Sequence, residues 1–187
     1  MTPQLLIPPS LEPVTLDEAR DYLRLDSEDE LLGSLISAAR HLVEAASGQM
    51  LIHQTWRLSL NAWPVMGRLR LPVEPLCAII AARVVDSQGG SQELDLSVLA
   101  IDAGARPPAI LAIGALPGPG RRLNGIEIDV RVGHGATPAD MPPQLRLAVL
   151  KLVAHWFENR GDTTGERISA MPGEVTALTA PWRRVRL

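Results

Sequence analysis

The apolar positions change period twice along the chain. They recur at helical spacing up to about residue 47, alternate every second residue across the middle of the chain, and return to helical spacing past Pro142-Pro143. Two short helices open this pattern. Thr15-Leu16-Asp17-Glu18 and Ser27-Glu28-Asp29-Glu30 both match a capping box, in which a hydroxyl at the first position and a carboxylate three residues on satisfy backbone N–H groups that a helix start leaves without partners. Both also place acids at the positive end of a helix dipole. Helices are predicted at about 15–25 and 27–47. In the second, Leu31, Leu32, Leu35, Ile36, Ala39, Leu42, Val43 and Ala46 make one apolar stripe, with Glu30, Ser34, Ser37, Arg40, His41 and Glu44 on the opposite face and Gly48 as the stop.

The middle of the chain reads as strands. Trp56, Leu58 and Leu60 alternate with Thr55, Arg57 and Ser59, and Ile126, Ile128, Val130 and Val132 alternate with Glu127, Asp129 and Arg131, as half-buried strands do. Ala78 to Val85 is a more continuous apolar run leading into the turn residues Asp86-Ser87-Gln88-Gly89-Gly90. Ala109 to Ile113 is a further strand, and Asn124-Gly125 is a hairpin signal. Many short strands with tight turns and no helical pattern between them predict an antiparallel sheet.

The last long helix differs in kind. Gln144, Lys151, His155, Glu158 and Asn159 share one narrow strip, while Leu145, Leu147, Val149, Leu150, Leu152, Val153, Trp156 and Phe157 occupy most of the remaining circumference. Such a helix needs cover on more than one side, from the centre of its own domain or from another subunit. Trp156 is expected to be a buried anchor. Arg160 to Glu166 reads as an exposed loop, a short helix follows from Pro172-Gly173-Glu174 with Val175 and Leu178 inward, and Pro181 ends it. The expected class is α+β: one domain over 1–187, with a helical body at 13–48 and 140–181 made of two N-terminal and two C-terminal helices, an inserted antiparallel β subdomain at 50–135, and a tail at 182–187.

Composition narrows the class without naming a function. With 187 residues and 46% hydrophobic content the chain can bury a core, and no repeat or low-complexity segment is present. Its single cysteine, Cys77, allows no internal disulfide and no cysteine-rich zinc site, which points to a reducing compartment; a buried, inert thiol is expected beside an apolar strand. Met1 to Pro9 has no basic start and an apolar run of only three residues, so neither a signal peptide nor a membrane anchor is expected there. The net charge of -3 conceals an asymmetry: residues 1–50 carry nine acids against three arginines, residues 51–140 balance, and residues 141–187 carry four acids against seven bases. The two ends are electrically complementary, within one subunit or between neighbours.

Candidate chemistry is sparse. His41, His53, His134 and His155 fall at no metal-ligand spacing, so no metal and no cofactor is expected. His134 stands between Gly133 and Gly135, where glycines permit close approach of a ligand, although the ordinary reading is a loop ending a strand. The glycine-rich stretch Gly114 to Gly120 lacks the Lys and Ser/Thr of a P-loop, and its two prolines remove N–H donors. There is no nucleophile elbow, and the paired acids are accounted for by capping. No catalytic residue is assigned and the chain is read as a non-enzyme. Arg183, Arg184 and Arg186 form a basic tail and Arg121-Arg122 a smaller cluster, but an acidic chain with six aromatic residues lacks the stacking platform or basic helix of a specific nucleic-acid binder. Alternation of those arginines with Trp182, Val185 and Leu187 suits either a peptide docking on another protein or a frayed terminus.

The order of segments resembles one family. Pro13 to Asp26 (PVTLDEARDYLRLD) resembles the N-terminal signature of phage head-tail connector, or adaptor, proteins. The resemblance continues through Ile36 to Arg40, Val43-Glu44, Gly48, Gln54-Thr55-Trp56, Leu71-Pro72 and Pro75-Leu76, resumes at Val132 to Gly135 and Met141-Pro142-Pro143, and runs from Leu145 to Arg160 and on to Leu178 and Ala180-Pro181. Adaptors of prophages and gene transfer agents are similar in layout. The resemblance implies a structural virion protein at the head-tail interface, made in the bacterial cytoplasm. It would assemble with itself into a twelve-subunit ring under the portal protein, extend the DNA channel with transient, non-specific contact to passing DNA, and offer an attachment surface to stopper or tail proteins, with no membrane partner. The portal-binding segment would be Trp182, Arg183, Arg184, Val185, Arg186 and Leu187, and the subunit interface is expected at Leu147, Leu150, Lys151 and Phe157. A non-catalytic binding or assembly-regulating module, and more distantly a small hydrolase, are the alternatives.

Overall fold

The computed structural model describes residues 1–25, 31–159 and 171–183. It is an α+β protein, with four α-helices and two antiparallel sheets among the described residues. The chain divides into two compact units, one of residues 1–9 and 53–133 and the other of residues 10–52 and 134–187.

The first unit is the β unit. It contains β1 (Thr2–Ile7), β2 (Gln54–Leu60), β3 (Arg68–Arg70), β4 (Leu76–Val85), β5 (Ser91–Glu93), β6 (Leu99–Asp102), β7 (Ala109–Ala112) and β8 (Ile126–Val132). One sheet has the order β1-β2-β8-β4-β5 and the other β3-β7-β6. The alternation seen in the sequence sets the faces. Trp56, Leu58 and Leu60 of β2 stand opposite Val130, Ile128 and Ile126 of β8, and the same β8 residues stand opposite Ile79, Ala82 and Val84 of β4. This face meets the smaller sheet, with Ile128 sharing a small apolar gap with Leu69, Leu99 and Ile110. The two sheets therefore pack face to face around an apolar interior.

Two local expectations change. No element was expected before residue 13, yet β1 opens the chain and pairs antiparallel with β2. Its Leu-Leu-Ile run neither alternates nor reaches typical strand length, so its pairing comes from β2 rather than from its own pattern. Asn124-Gly125 does not join a hairpin, because β8 pairs with β2 and β4 while the preceding β7 pairs with β3 and β6. Asn124 does take a positive φ of 51°, and Gly125 is required for space: a Cβ there would lie 2.3 Å from the Arg121 carbonyl oxygen. The turn signal was real, but long-range burial chose the strand partner. The Asp86 to Gly90 turn does join neighbouring strands, with Asp86 Oδ1 accepting from the Gln88 and Gly90 N–H groups.

The second unit is helical, with α1 (Leu16–Leu23), α2 (Leu31–Ser47), α3 (Pro143–Glu158) and α4 (Gly173–Thr179). The first capping box forms as expected: Glu18 N–H donates to Thr15 Oγ1 at 3.2 Å and Thr15 N–H to Glu18 Oε2 at 3.0 Å. The second, at 27–30, and the loop at 160–166 lie outside the described residues. Gly48 ends α2 at φ 75°. One cluster fills this unit, with Leu32, Ile36, Ala39 and Val43 of α2 and Leu145, Ala148, Val149, Leu152 and Val153 of α3 all buried.

Arg40 and Glu44 depart from the polar-face expectation, since each is only 5% exposed. Arg40 Nε donates to Glu12 Oε2 at 2.8 Å, its Nη1 lies 3.4 Å from Glu44, and Glu44 Oε1 accepts the Leu51 N–H at 2.9 Å. The segments before and after α2 fold back over its polar face and bury it. A helical wheel cannot show that cover.

Candidate interaction surfaces

Among the described residues no group of three or more His, Cys, Asp or Glu could hold a metal ion, and no helix is long and apolar enough to cross a membrane. Cys77 is exposed, not buried as expected. It stands at a register shift in the β4 to β8 ladder, which takes it out of regular pairing. Its thiol donates to the Gly133 carbonyl at 2.9 Å and lies 3.6 Å from His53 Nε2. Although the residue as a whole is exposed, its sulfur is partly shielded from water beside Gly133, which pushes the thiol pKa up against a smaller opposing pull from Arg131, so a thiolate nucleophile is not favoured.

The glycines around His134 serve the backbone. Gly133 has φ 121°, and a Cβ on Gly135 would lie 2.1 Å from that of Asp140. Asp140 in turn accepts from the Thr137 N–H at 2.9 Å, so the close approach at Gly135 admits a neighbouring side chain. The His134 ring meets Trp182 edge-on at 5.7 Å. In the stretch 114–120, the Gly120 N–H donates to the Val85 carbonyl at 3.1 Å, docking that stretch on the end of β4.

Across β2, β8 and β4 the outer face carries a charge ladder. Arg57 pairs with both oxygens of Asp129 at 2.7 and 3.0 Å, and Arg83 Nη2 donates to Asp129 Oδ2 at 3.0 Å. Glu127 lies 3.1 Å from Arg57 and 3.4 Å from Arg83. Burial of Asp129 opposes its charged form, but hydrogen bonding and charge from Arg57 and Arg83 outweigh that cost and hold its carboxyl below the ordinary value of 3.8. The sign for stability follows: a carboxylate with a lowered native pKa contributes fully above its unfolded pKa and loses that contribution as pH falls through the native value. Acid unfolding of Asp129→Asn is therefore expected to depend less on pH below 3.8 than that of the wild type. Coincident pH dependence in urea melts would remove Asp129 from the acid transition.

The residues expected at a subunit interface lie on α3 but in different surroundings. Leu147 is 37% exposed, while Leu150 and Phe157 are half-buried against the helical core. Lys151 pairs with Glu174 of α4, which raises the lysine pKa and lowers that of the carboxyl. Trp156 is also only half-buried, since the helical core reaches one side of it, so it is not the fully enclosed anchor expected. In the tail, Trp182 packs on the helical core and Arg183 Nε donates to the Ala46 carbonyl at 3.2 Å. Arg184 to Leu187 lie outside the described residues.

One exposed apolar feature had no sequence signal beyond its flanking turn residues. The Gly67 N–H donates to the Pro64 carbonyl at 2.8 Å, closing a turn that holds Val65 and Met66 in full solvent exposure. Trp63 fixes the base of this turn by donating to the Pro117 carbonyl at 2.8 Å.

No protein-family model and no curated protein matches the chain. Solved structures do. A chain in the virion of a native gene transfer agent particle is 31% identical, with a TM-score of 0.83 over 100% of this chain and 97% of that one. A chain in the neck of an empty particle, computed with C6 symmetry, is 32% identical with a TM-score of 0.80, again over 100% and 97%. A chain in the neck of a native particle, computed with C12 symmetry, is 31% identical with a TM-score of 0.79 over the same shares. The likeness thus spans both units. By this full-length agreement in fold and sequence, the chain belongs to the family of structural proteins of the gene transfer agent neck.

Proposed function

We propose that the protein is the adaptor subunit of the neck, forming a twelve-subunit ring beneath the portal, extending the DNA channel and presenting the attachment surface for stopper or tail proteins. The observation that supports this most is the likeness, over the whole chain, to a component of a neck computed with C12 symmetry. In this reading the protein is a single adaptor domain of the virion, made in the bacterial cytoplasm, and acts by binding alone. Leu147, Leu150, Lys151 and Phe157 contribute to contact between neighbouring copies, with Leu147 the most open of the apolar three. The segment Trp182 to Leu187 engages the portal, its root fixed by Trp182 on the helical core and Arg183 on Ala46. Passing DNA is touched transiently and without sequence preference. A near-neutral wall suits that role, because a dense arginine lining would release counterions on contact and hold the duplex.

The test is to mix the full chain with portal-bearing heads and measure the mass added. Twelve copies per portal are expected. A chain lacking residues 184–187 keeps Trp182 and Arg183 in place, so it should retain its melting temperature while losing portal binding. Full binding by the shortened chain would remove the tail from the mechanism, and any stoichiometry that does not form a closed ring would overturn the adaptor reading.

A further inference from the structure

The five-stranded sheet ends in two open edges that match each other. β1 pairs with β2 on one side only and all six of its residues are exposed, including Leu5, Leu6 and Ile7. At the far end, β5 covers β4 only from Arg83 to Val85, and the Leu94 N–H reaches the Ala82 carbonyl. Leu76 to Ala81 of β4 therefore has β8 on one side and, among the described residues, no strand on the other. Both open stretches are six residues long and neither holds a charged side chain: TPQLLI in β1 and LCAIIA in β4. Open edges are templates for another strand, and chains that must stay monomeric guard them with charges, prolines or bulges. Here Pro3 is the only proline, β1 carries one register shift, between Leu5 and Ile7, and the two register shifts in β4 leave Cys77 and Ile80 exposed without covering the edge.

We infer that β1 of one copy adds to the Leu76–Ala81 edge of β4 in the next copy, in line with β5, so that a sheet continues from subunit to subunit around the ring. The two edges are different surfaces at opposite ends of one sheet, so their contact is head-to-tail, the kind of interface that closes into rings. The matched length and the shared lack of charge select a second copy of this chain as the occupant. Main-chain hydrogen bonds hold such a junction, and Leu5, Leu6, Ile7 and Ile80 lose their exposure in it. The inference rests on the ring proposed above and adds the surface through which its members meet.

Cys77, the sole cysteine, lies on the accepting edge and makes the test direct. Separate full-length variants Gln4→Cys, Leu5→Cys and Leu6→Cys are assembled in particles and oxidised mildly. A disulfide needs Cα atoms about 4.4–6.8 Å apart, so only a cysteine in register with Cys77 of the neighbour cross-links. Expected is a ladder of covalent multimers of the 20.2 kDa chain from at least one variant, abolished by adding Cys77→Ser, with no ladder beyond dimers from the wild type. Rings of normal stoichiometry without a ladder from any of the three variants would overturn the edge contact and leave the ring standing. Absence of rings from the wild type would overturn both. Ile80→Lys, at a position 46% exposed, should keep the wild-type melting temperature yet fail to assemble; normal assembly would count against the inference.

Discussion

Replacing Arg40 with methionine is expected to destabilise the protein by about 3–5 kcal/mol, the cost of removing one partner from a buried ion pair. The guanidinium and the Glu44 carboxylate are 7% and 6% exposed, so neither can recover hydration when the other is removed. Glu12, 34% exposed, can return to water, whereas the buried Glu44 loses the guanidinium that faces it. Glu44 also accepts the Leu51 N–H, so the damage extends to the segment leaving α2. The measurement is urea unfolding followed by the helical signal. The double variant Arg40→Met/Glu44→Gln should regain most of the loss, because the amide oxygen still accepts from Leu51 and the buried carboxylate is neutralised together with its guanidinium partner. A single variant within about 0.5 kcal/mol of wild type would show that the network carries no net stability.

Leu152→Ala, at the centre of α3, is expected to cost about 2–5 kcal/mol. Leu152 is fully buried among apolar residues of α2 and α3, so truncation loses both its transfer free energy and its packing contacts. Five residues earlier on the same helix, Leu147→Ala should change stability by less than about 0.5 kcal/mol, because that side chain already meets solvent. In the proposed ring the order reverses: Leu147→Ala weakens association while leaving the melting temperature unchanged. Equal thermal losses from the two variants would mean that α3 has no outward apolar face.

Much of the helical unit was legible because its signals are local. Thr15 and Glu18 cap α1 with hydrogen bonds between residues three apart, and Gly48 stops α2 through its own backbone freedom. The strands with clean alternation, β2 and β8, were equally visible, since burial on one face imposes the period of two. The surface candidates were less legible. Periodicity named Leu147, Leu150 and Phe157 as excess apolar surface, but only neighbouring helices determine that Leu147 is open and the other two half-covered. The sequence pattern singled out neither Val65 nor Met66, whose exposure depends on the turn that Trp63 and Gly67 hold.

By itself the sequence determined the types of the longer elements, the α+β order, the capped start of α1, the glycine stop of α2 and the resemblance to virion connectors. Each of these is set by residues a few positions apart or by composition. Tertiary structure alone decided that β1 joins the sheet beside β2, that β8 runs between β2 and β4, that Arg40 and Glu44 are buried, and that Cys77 is open. These depend on which distant segments cover a given face. Covering is a cooperative outcome of burying apolar area across the whole chain, and a local pattern of side chains carries no record of it.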